Sequence, residues 1–286
     1  MGTSKGYGGP PNGLIPTWLA SSEEGETAGP GGDGSESDAD NGTLEAAPGE
    51  GGGFAGARTA FTRFFKSGSS SALGSAMASY VSGGGRAPGG GGAGGGSGAR
   101  RAARRMGSSR GAGARLLGVV RDIGQLGPVE ALRRLDLADM VDRPAADVFL
   151  AMLEFLCPPG GAIDEAISRQ AMLEAIGNLD DTGAAEFGDL SGQQLQEFFL
   201  DFVVLSIEGR VIADIGSRGF AMSPDIGAVE NAQTQLHDFI EGCCRVHLSG
   251  LLSGLTSLNN RDIEKRMDEI YEVAFSLIAE EGEDTK

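Results

Sequence analysis

Residues 191–216 read SGQQLQEFFLDFVVLSIEGRVIADIG, and this stretch decides the fold. Its apolar side chains recur around most of the circumference of a helix, which is typical of a helix buried in a protein core. Ser191 can cap the helix, because a serine hydroxyl accepts a hydrogen bond from the first turn. We therefore expect one long central helix against which the other elements pack.

Helical patterns continue on both sides of this central segment, and we predict no strand. Pro128 stands where a first-turn proline belongs, and the residues after Asn260 form an apolar seam with alternating spacings of four and three. The chain is thus predicted to be all-α, with a single C-terminal domain of about six to seven helices over residues 114–286. The predicted segments are 114–123, 128–135, 144–156, 163–176, 191–212, 224–252 and 260 onward.

Composition separates the first 113 residues from this domain. Most of the 49 glycines lie before residue 112, and a tract of small residues buries too little apolar area to offset the entropy of ordering it. We expect residues 1–53 to be a disordered tail with an acidic linker. Residues 54–113 are expected to be a basic, Gly-rich arm with short helices near 54–66 and 71–81.

Charge divides the chain into three blocks. Residues 1–50 hold nine acidic residues and one basic residue, residues 51–121 hold eleven basic residues and no acidic one, and the remainder holds 31 acidic and 11 basic residues. A cationic arm joined to an acidic body favours polyanions, other proteins or the chain itself as partners.

Two interpretations of the arm follow. The favoured one is that it folds back onto the acidic domain or onto an acidic partner, because the acidic excess is covalently attached. The alternative is phosphate binding to nucleic acid by a cluster of arginines on one potential helix, which consists of Arg100, Arg101, Arg104 and Arg105.

Cysteine content and hydropathy point to the cytoplasm. The three cysteines are Cys157, Cys243 and Cys244, an odd number that suggests no disulfide framework. No apolar run approaches the length of about 20 residues that spans a bilayer. We expect a cytoplasmic protein without a membrane partner.

Catalytic and metal-binding patterns are weak. Cys243 and His247 lie one helical turn apart and could hold two corners of a metal site, whereas His237 falls off their face; buried thiols and a satisfied histidine are the preferred interpretation. Residues 178–189 only partly match a calcium loop, and no phosphate loop is present. The sequence therefore predicts a protein that is not an enzyme and has no cofactor.

The N-terminus carries a short apolar cluster. It lies in a stretch rich in glycine and proline, and it contains the chain's single tryptophan. Buried aromatic side chains dominate many interfaces, so this cluster is a candidate docking motif with its own domain as the alternative contact. Its members are Leu14, Ile15, Trp18 and Leu19.

Several sequence blocks resemble one family, the B subunit of the bacterial Qat anti-phage defence system. They lie in the same order along nearly the whole chain except the acidic linker. The blocks are MGTSKGYGG (1–9), LIPTW (14–18), FAGARTAFTRFFKSG (54–68), SALGSAMASYVSGG (71–84), RRAARRM (100–106), CPPGGAIDEAISRQAMLEAIG (157–177), FFLDFVVLSIEGRVIADIG (198–216) and QLHDFIEGC (235–243).

The resemblance implies a non-enzymatic component of a four-part defence operon. Its implied partners are an ATPase subunit, a subunit similar to 7-cyano-7-deazaguanine synthase, and a TatD-like nuclease. It also implies that the synthase-like partner modifies the amine of Gly2, the residue exposed when Met1 is removed. The glycine-rich start of the chain suits entry into a narrow active site, because it carries few side chains.

Overall fold

Helices form nearly all of the regular structure. A computed structural model describes residues 54–83, 95–181, 186–216 and 226–285. These residues contain eleven α-helices and no strand, which confirms the predicted all-α class. The helices are α1 (Ala55–Ser67), α2 (Ser70–Gly83), α3 (Gly95–Arg104), α4 (Gly107–Leu126), α5 (Pro128–Arg133), α6 (Ala145–Ala151), α7 (Leu153–Leu156), α8 (Ile163–Asp181), α9 (Gly192–Gly216), α10 (Ile226–Leu251) and α11 (Asn260–Asp284).

Helix α9 is the central element, as its sequence predicts. The amide of Gln194 donates to the Ser191 hydroxyl, and the Gln194 side chain accepts from the Ser191 amide, which together form a capping box. Helices α4, α8 and α10 pack around α9. Twelve of its residues are buried: Leu195, Phe198, Phe199, Leu200, Phe202, Val203, Val204, Leu205, Ser206, Ile207, Val211 and Ile215.

The predicted helices differ from the structure at two breaks. The segment expected to be one helix over residues 144–156 is split at Met152 into α6 and α7. The break expected among the glycines of residues 107–113 instead falls before Gly107, and α4 runs through Gly113 without interruption. A Cβ atom on Gly113 would lie only 2.7 Å from the Met267 sulfur, so close packing against α11 accounts for this glycine.

The first three helices share the core of the later ones. Phe61 and Phe64 of α1 and Leu73 and Tyr80 of α2 are buried in the same hydrophobic cluster as the residues of α9 and α11. The boundary expected at residue 114 lies inside the continuous helix α4. Sequence analysis separated these helices from the domain because the segment around them is rich in glycine and has no acidic residue. The tail predicted over residues 1–53 lies outside the described residues.

Helices α2 and α11 approach each other through small residues. A Cβ atom on Gly282 would lie 2.4 Å from the carbonyl oxygen of Gly74 and 3.1 Å from the amide nitrogen of Ala78. A Cβ atom on Gly74 would lie 2.9 Å from Cβ of Thr285. The absence of side chains at both glycines lets the two backbones meet, and any added carbon must push the helices apart.

We predict that Gly282→Ala destabilises the protein by about 1–3 kcal/mol, because overpacking at a backbone contact outweighs the gain in helix propensity. Urea unfolding followed by circular dichroism measures the change. Gly177→Ala in α8 is the matched control, since a Cβ atom there meets nothing within 4 Å. Equal stability of the two variants would contradict the close approach of α2 and α11.

Candidate functional site

The four arginines singled out from the sequence are divided by the structure. Arg100 is 62% exposed and donates to Glu272 of α11 at 3.0 Å, and this hydrogen bond raises the pKa of Arg100. Arg104 is exposed and forms no ion pair within the described part of the chain. Arg101 is half-buried, and its Nε atom has no hydrogen-bond partner there. Arg105 points inward, so the four do not form one cationic surface.

Arg105 joins a buried network centred on Asp214. The side chain of Asp214 is 11% exposed and lies 3.5 Å from Arg105 and 2.9 Å from Arg210 of α9. The hydroxyl of Tyr80 donates to the same carboxylate at 2.9 Å, and Arg210 also pairs with Asp164. Burial, with nearby Asp214, raises the pKa of Tyr80, so the phenol stays protonated and acts as the donor.

Two aromatic rings cover the other side of Arg105. Its guanidinium carbon lies 4.9 Å from the ring centroid of Phe54 and 5.0 Å from that of Tyr80, and the two rings stack with centroids 5.2 Å apart. Cation–π contacts of this kind strengthen when they are shielded from water. Phe54 directly precedes α1, so this cluster fixes the start of that helix against α2 and Arg105.

Another cation of the basic block also contacts a carboxylate of the body. Arg110 of α4 pairs with Asp268 of α11, whereas Arg121 pairs with Asp122, its neighbour in the same helix. The pairs of Arg100, Arg105 and Arg110 are of the kind expected from a basic segment that folds onto an acidic domain.

An open depression of about 690 Å³ lies beside α4, and we call it the α4 groove. One face of α4 forms its floor, where Gly111, Ala114 and Gly118 lie three and four residues apart. Ala131 of α5, the residues Arg134 and Leu135 that follow it, Phe155 of α7 and part of α11 form its walls. The lining mixes apolar side chains with four arginines and three carboxylates, which are Arg110, Arg115, Arg121, Arg134, Asp122, Glu264 and Asp268.

Arg115 stands out among the cations of the α4 groove. Its Nε atom donates to the carbonyl oxygen of Leu156 at 2.9 Å, which fixes the guanidinium. The two terminal nitrogens lie 3.6 and 3.8 Å from the position of a Cβ atom on Gly111. They form no ion pair with any described residue, so an oriented pair of donors faces the groove.

The thiols and histidines occupy separate environments. Cys157, Cys243 and Cys244 are buried and free, and burial raises the pKa of each thiol. His237 lies 2.9 Å from Glu208, and this hydrogen bond raises its pKa. His247 is exposed. Among the described residues, no three His, Cys, Asp or Glu side chains come together to hold a metal ion.

The candidate modification and docking residues of the N-terminus lie outside the described residues. They are Gly2 and the cluster of Leu14, Ile15, Trp18 and Leu19. Part of the loop compared with a calcium site, residues 182–185, also lies outside them.

A family model described as "Qat anti-phage system associated protein QatB" matches residues 97–278. The chain belongs to the QatB family. The matched region contains almost all of α3, the α4 groove and the Asp214 carboxylate, whereas α1, α2 and the N-terminal blocks precede it. Membership confirms the resemblance and assigns the chain a role in Qat anti-phage defence. Searches of curated proteins and of solved structures give no match.

The length and hydropathy of the helices decide whether any of them could span a membrane. None of the helices in the described ranges has the length and apolar character needed to cross a bilayer. The long apolar helix α9 is covered by its neighbours within the fold.

Sequence analysis did not identify the α4 groove or Arg115. The glycines of α4 were interpreted as points of weakness, although their spacing of three and four residues is the signal of a single helical face. Arg115 carries no local signal that separates it from the other arginines of the arm. Its role depends on Leu156, which is 41 residues away in the chain.

We predict that Asp214→Ala costs roughly 3 kcal/mol of unfolding free energy, because it leaves Arg105 and Arg210 buried without their shared carboxylate. Glu272→Ala is the matched control, and we expect almost no change because its partner Arg100 is exposed to solvent. Chemical denaturation of both variants measures the difference. Equal losses in the two variants would show that Asp214 is not a centre of stability.

Proposed function

We propose that this chain is the non-enzymatic adaptor and substrate subunit of its Qat system. In this proposal the helical body binds other subunits, and the N-terminal glycine is presented to the subunit similar to 7-cyano-7-deazaguanine synthase. Family membership supplies the defence context, and the division of the chain into a helical body and a glycine-rich N-terminal segment supplies the arrangement.

The observation that carries the proposal is the anchoring of Phe54. The Phe54 ring is stacked on Tyr80 and covered by Arg105, whose charge is held by Asp214. A fixed attachment point on the helical body is what presentation of a chain end to a second protein requires.

The chemistry of the first residues supports the role of substrate. Removal of Met1 leaves Gly2 with a primary amine and no side chain, and glycines recur at positions 6, 8 and 9. An enzyme that acylates or otherwise modifies an amine must bring it within bonding distance of a reactive carbon in its active site. Glycine imposes the least steric restriction on that approach.

We predict that intact mass spectrometry detects a covalent addition at the N-terminus when the chain is produced together with the synthase-like subunit. Gly2→Leu should abolish the addition, because a large second residue retains Met1 and crowds the amine. Gly9→Leu is the control and should remain modified. The same unmodified mass with and without the partner would remove the substrate role.

The alternative function is nucleic-acid binding through the arginines of α3. Arg104 is exposed and Arg101 is half-buried, and neither forms an ion pair with a described residue, which favours it. Arg100 and Arg105 are already engaged with carboxylates, so only two of the four candidate cations are available for phosphate. The adaptor role accounts for more of the structure.

We predict that association with duplex DNA is weak and salt-labile, with a slope of about −2 in log K against log salt for two phosphate contacts. Filter binding over 50–200 mM salt measures the slope. The double variant Arg101→Gln, Arg104→Gln is compared with Arg133→Gln, an exposed arginine of α5. A slope near −4 or steeper that becomes shallower by about 2 in the double variant, and not in Arg133→Gln, would favour the nucleic-acid function.

A further inference from the structure

The floor of the α4 groove is open helix backbone at Gly118, whereas the Arg115 guanidinium lies over Gly111. A Cβ atom placed on Gly118 would meet nothing within 4 Å, and Gly118 lies on the same face as Gly111 and Ala114. Helix faces lined by small residues allow another backbone to approach closely. On this side α4 has unused packing surface, whereas Gly113 on another side is filled by Met267 and Phe202.

The walls of the groove present an apolar anchor point. Phe155 of α7 is 44% exposed and borders the groove together with Leu135, which is half-buried. Exposed aromatic residues beside a concave surface are enriched at the centres of protein interfaces. A volume of about 690 Å³ accommodates a short stretch of polypeptide with several side chains.

The charges of the groove select the sign of its occupant. Arg115 offers two terminal nitrogens with no carboxylate partner in the described structure. Arg110 is paired with Asp268, and Arg121 and Arg134 are both paired with Asp122. The terminal nitrogens of Arg115 therefore favour one carboxylate of an occupant, although the chain as a whole carries a net charge of −17.

We propose that the α4 groove is the docking site for an acidic segment of a partner Qat subunit. A carboxylate of that segment is bound by Arg115, and an adjacent apolar side chain packs on Phe155 and Leu135. This inference rests on the adaptor function and names the surface and the partner chemistry that the function requires.

A nucleic-acid backbone fits the groove less well than a peptide does. Phosphates recur at every nucleotide, whereas Asp122, Glu264 and Asp268 line the same depression and would repel a continuous row of them. A peptide can place a carboxylate at Arg115 and neutral side chains beside Asp122, Glu264 and Asp268. The mixed lining thus favours a protein segment with spaced acidic residues.

The test uses the full-length chain and each of the other Qat subunits, purified separately, with affinity measured by calorimetry at low and high salt. We expect Gly118→Leu to weaken binding at least 10-fold by filling the floor, and Arg115→Gln to weaken it about 10-fold or more while reducing its salt dependence. Arg115→Lys should restore part of the loss. Gly177→Leu in α8, another position with open space, should bind like the parent chain.

Photocrosslinking identifies the occupant. With benzoylphenylalanine at position 118, we expect a crosslink to an acid-rich segment of one subunit. Crosslinks to a basic segment, to a second copy of this chain or to DNA would each overturn the proposal. Circular dichroism confirms that Gly118→Leu is folded, as expected for an open helical position.

The outcomes separate this proposal from the adaptor function. If the parent chain and Gly118→Leu bind a subunit equally well, the groove is not the docking site and the adaptor function stands. If the parent chain binds none of the subunits, both proposals fail. If Gly118→Leu alone loses binding while Gly2 is still modified, the groove serves a subunit other than the modifying one.

Discussion

The carboxylate of Asp214 holds together parts of the fold that are far apart in the sequence. It accepts from Tyr80 of α2 and pairs with Arg105 between α3 and α4 and with Arg210 of its own helix. A charge this well shielded from water is tolerated only when its partners satisfy it, so each partner is constrained in turn. Arg105 in turn contacts the ring of Phe54 and so fixes the start of α1.

The basic block of the sequence is partly neutralised by carboxylates of the acidic body. A run of arginines without any acidic residue indicates a polyanion partner when it is considered alone, but here the body supplies Asp214, Asp268 and Glu272 as internal partners. Some cations of this segment remain available to a partner. Arg104 and Arg115 are examples that lack a carboxylate within the described structure. The available charges, more than the total charge, determine what the surface can bind.

Local features of the fold were predictable and long-range ones were not. The capping box of Ser191 and Gln194 and the apolar circumference of α9 act within a few residues, so sequence periodicity contains them. The pairing of Tyr80 with Asp214 spans 134 positions, and no spacing rule indicates it. Gly113 was interpreted as a weak point for the same reason, since its neighbours Met267 and Phe202 come from other helices.

Helix α4 connects the α4 groove with the cluster of Phe54, Tyr80 and Arg105. Helix α4 begins at Gly107, two residues after Arg105, which lies between Phe54 and Asp214. A partner segment bound to α4 would therefore lie at a defined distance from Phe54 at the start of α1. Allosteric switching would need two alternative arrangements of this junction, whereas a buried ion network and stacked rings favour a single one. The contacts of Arg105 hold the start of α1 in one position relative to α4, which fits the proposed adaptor function.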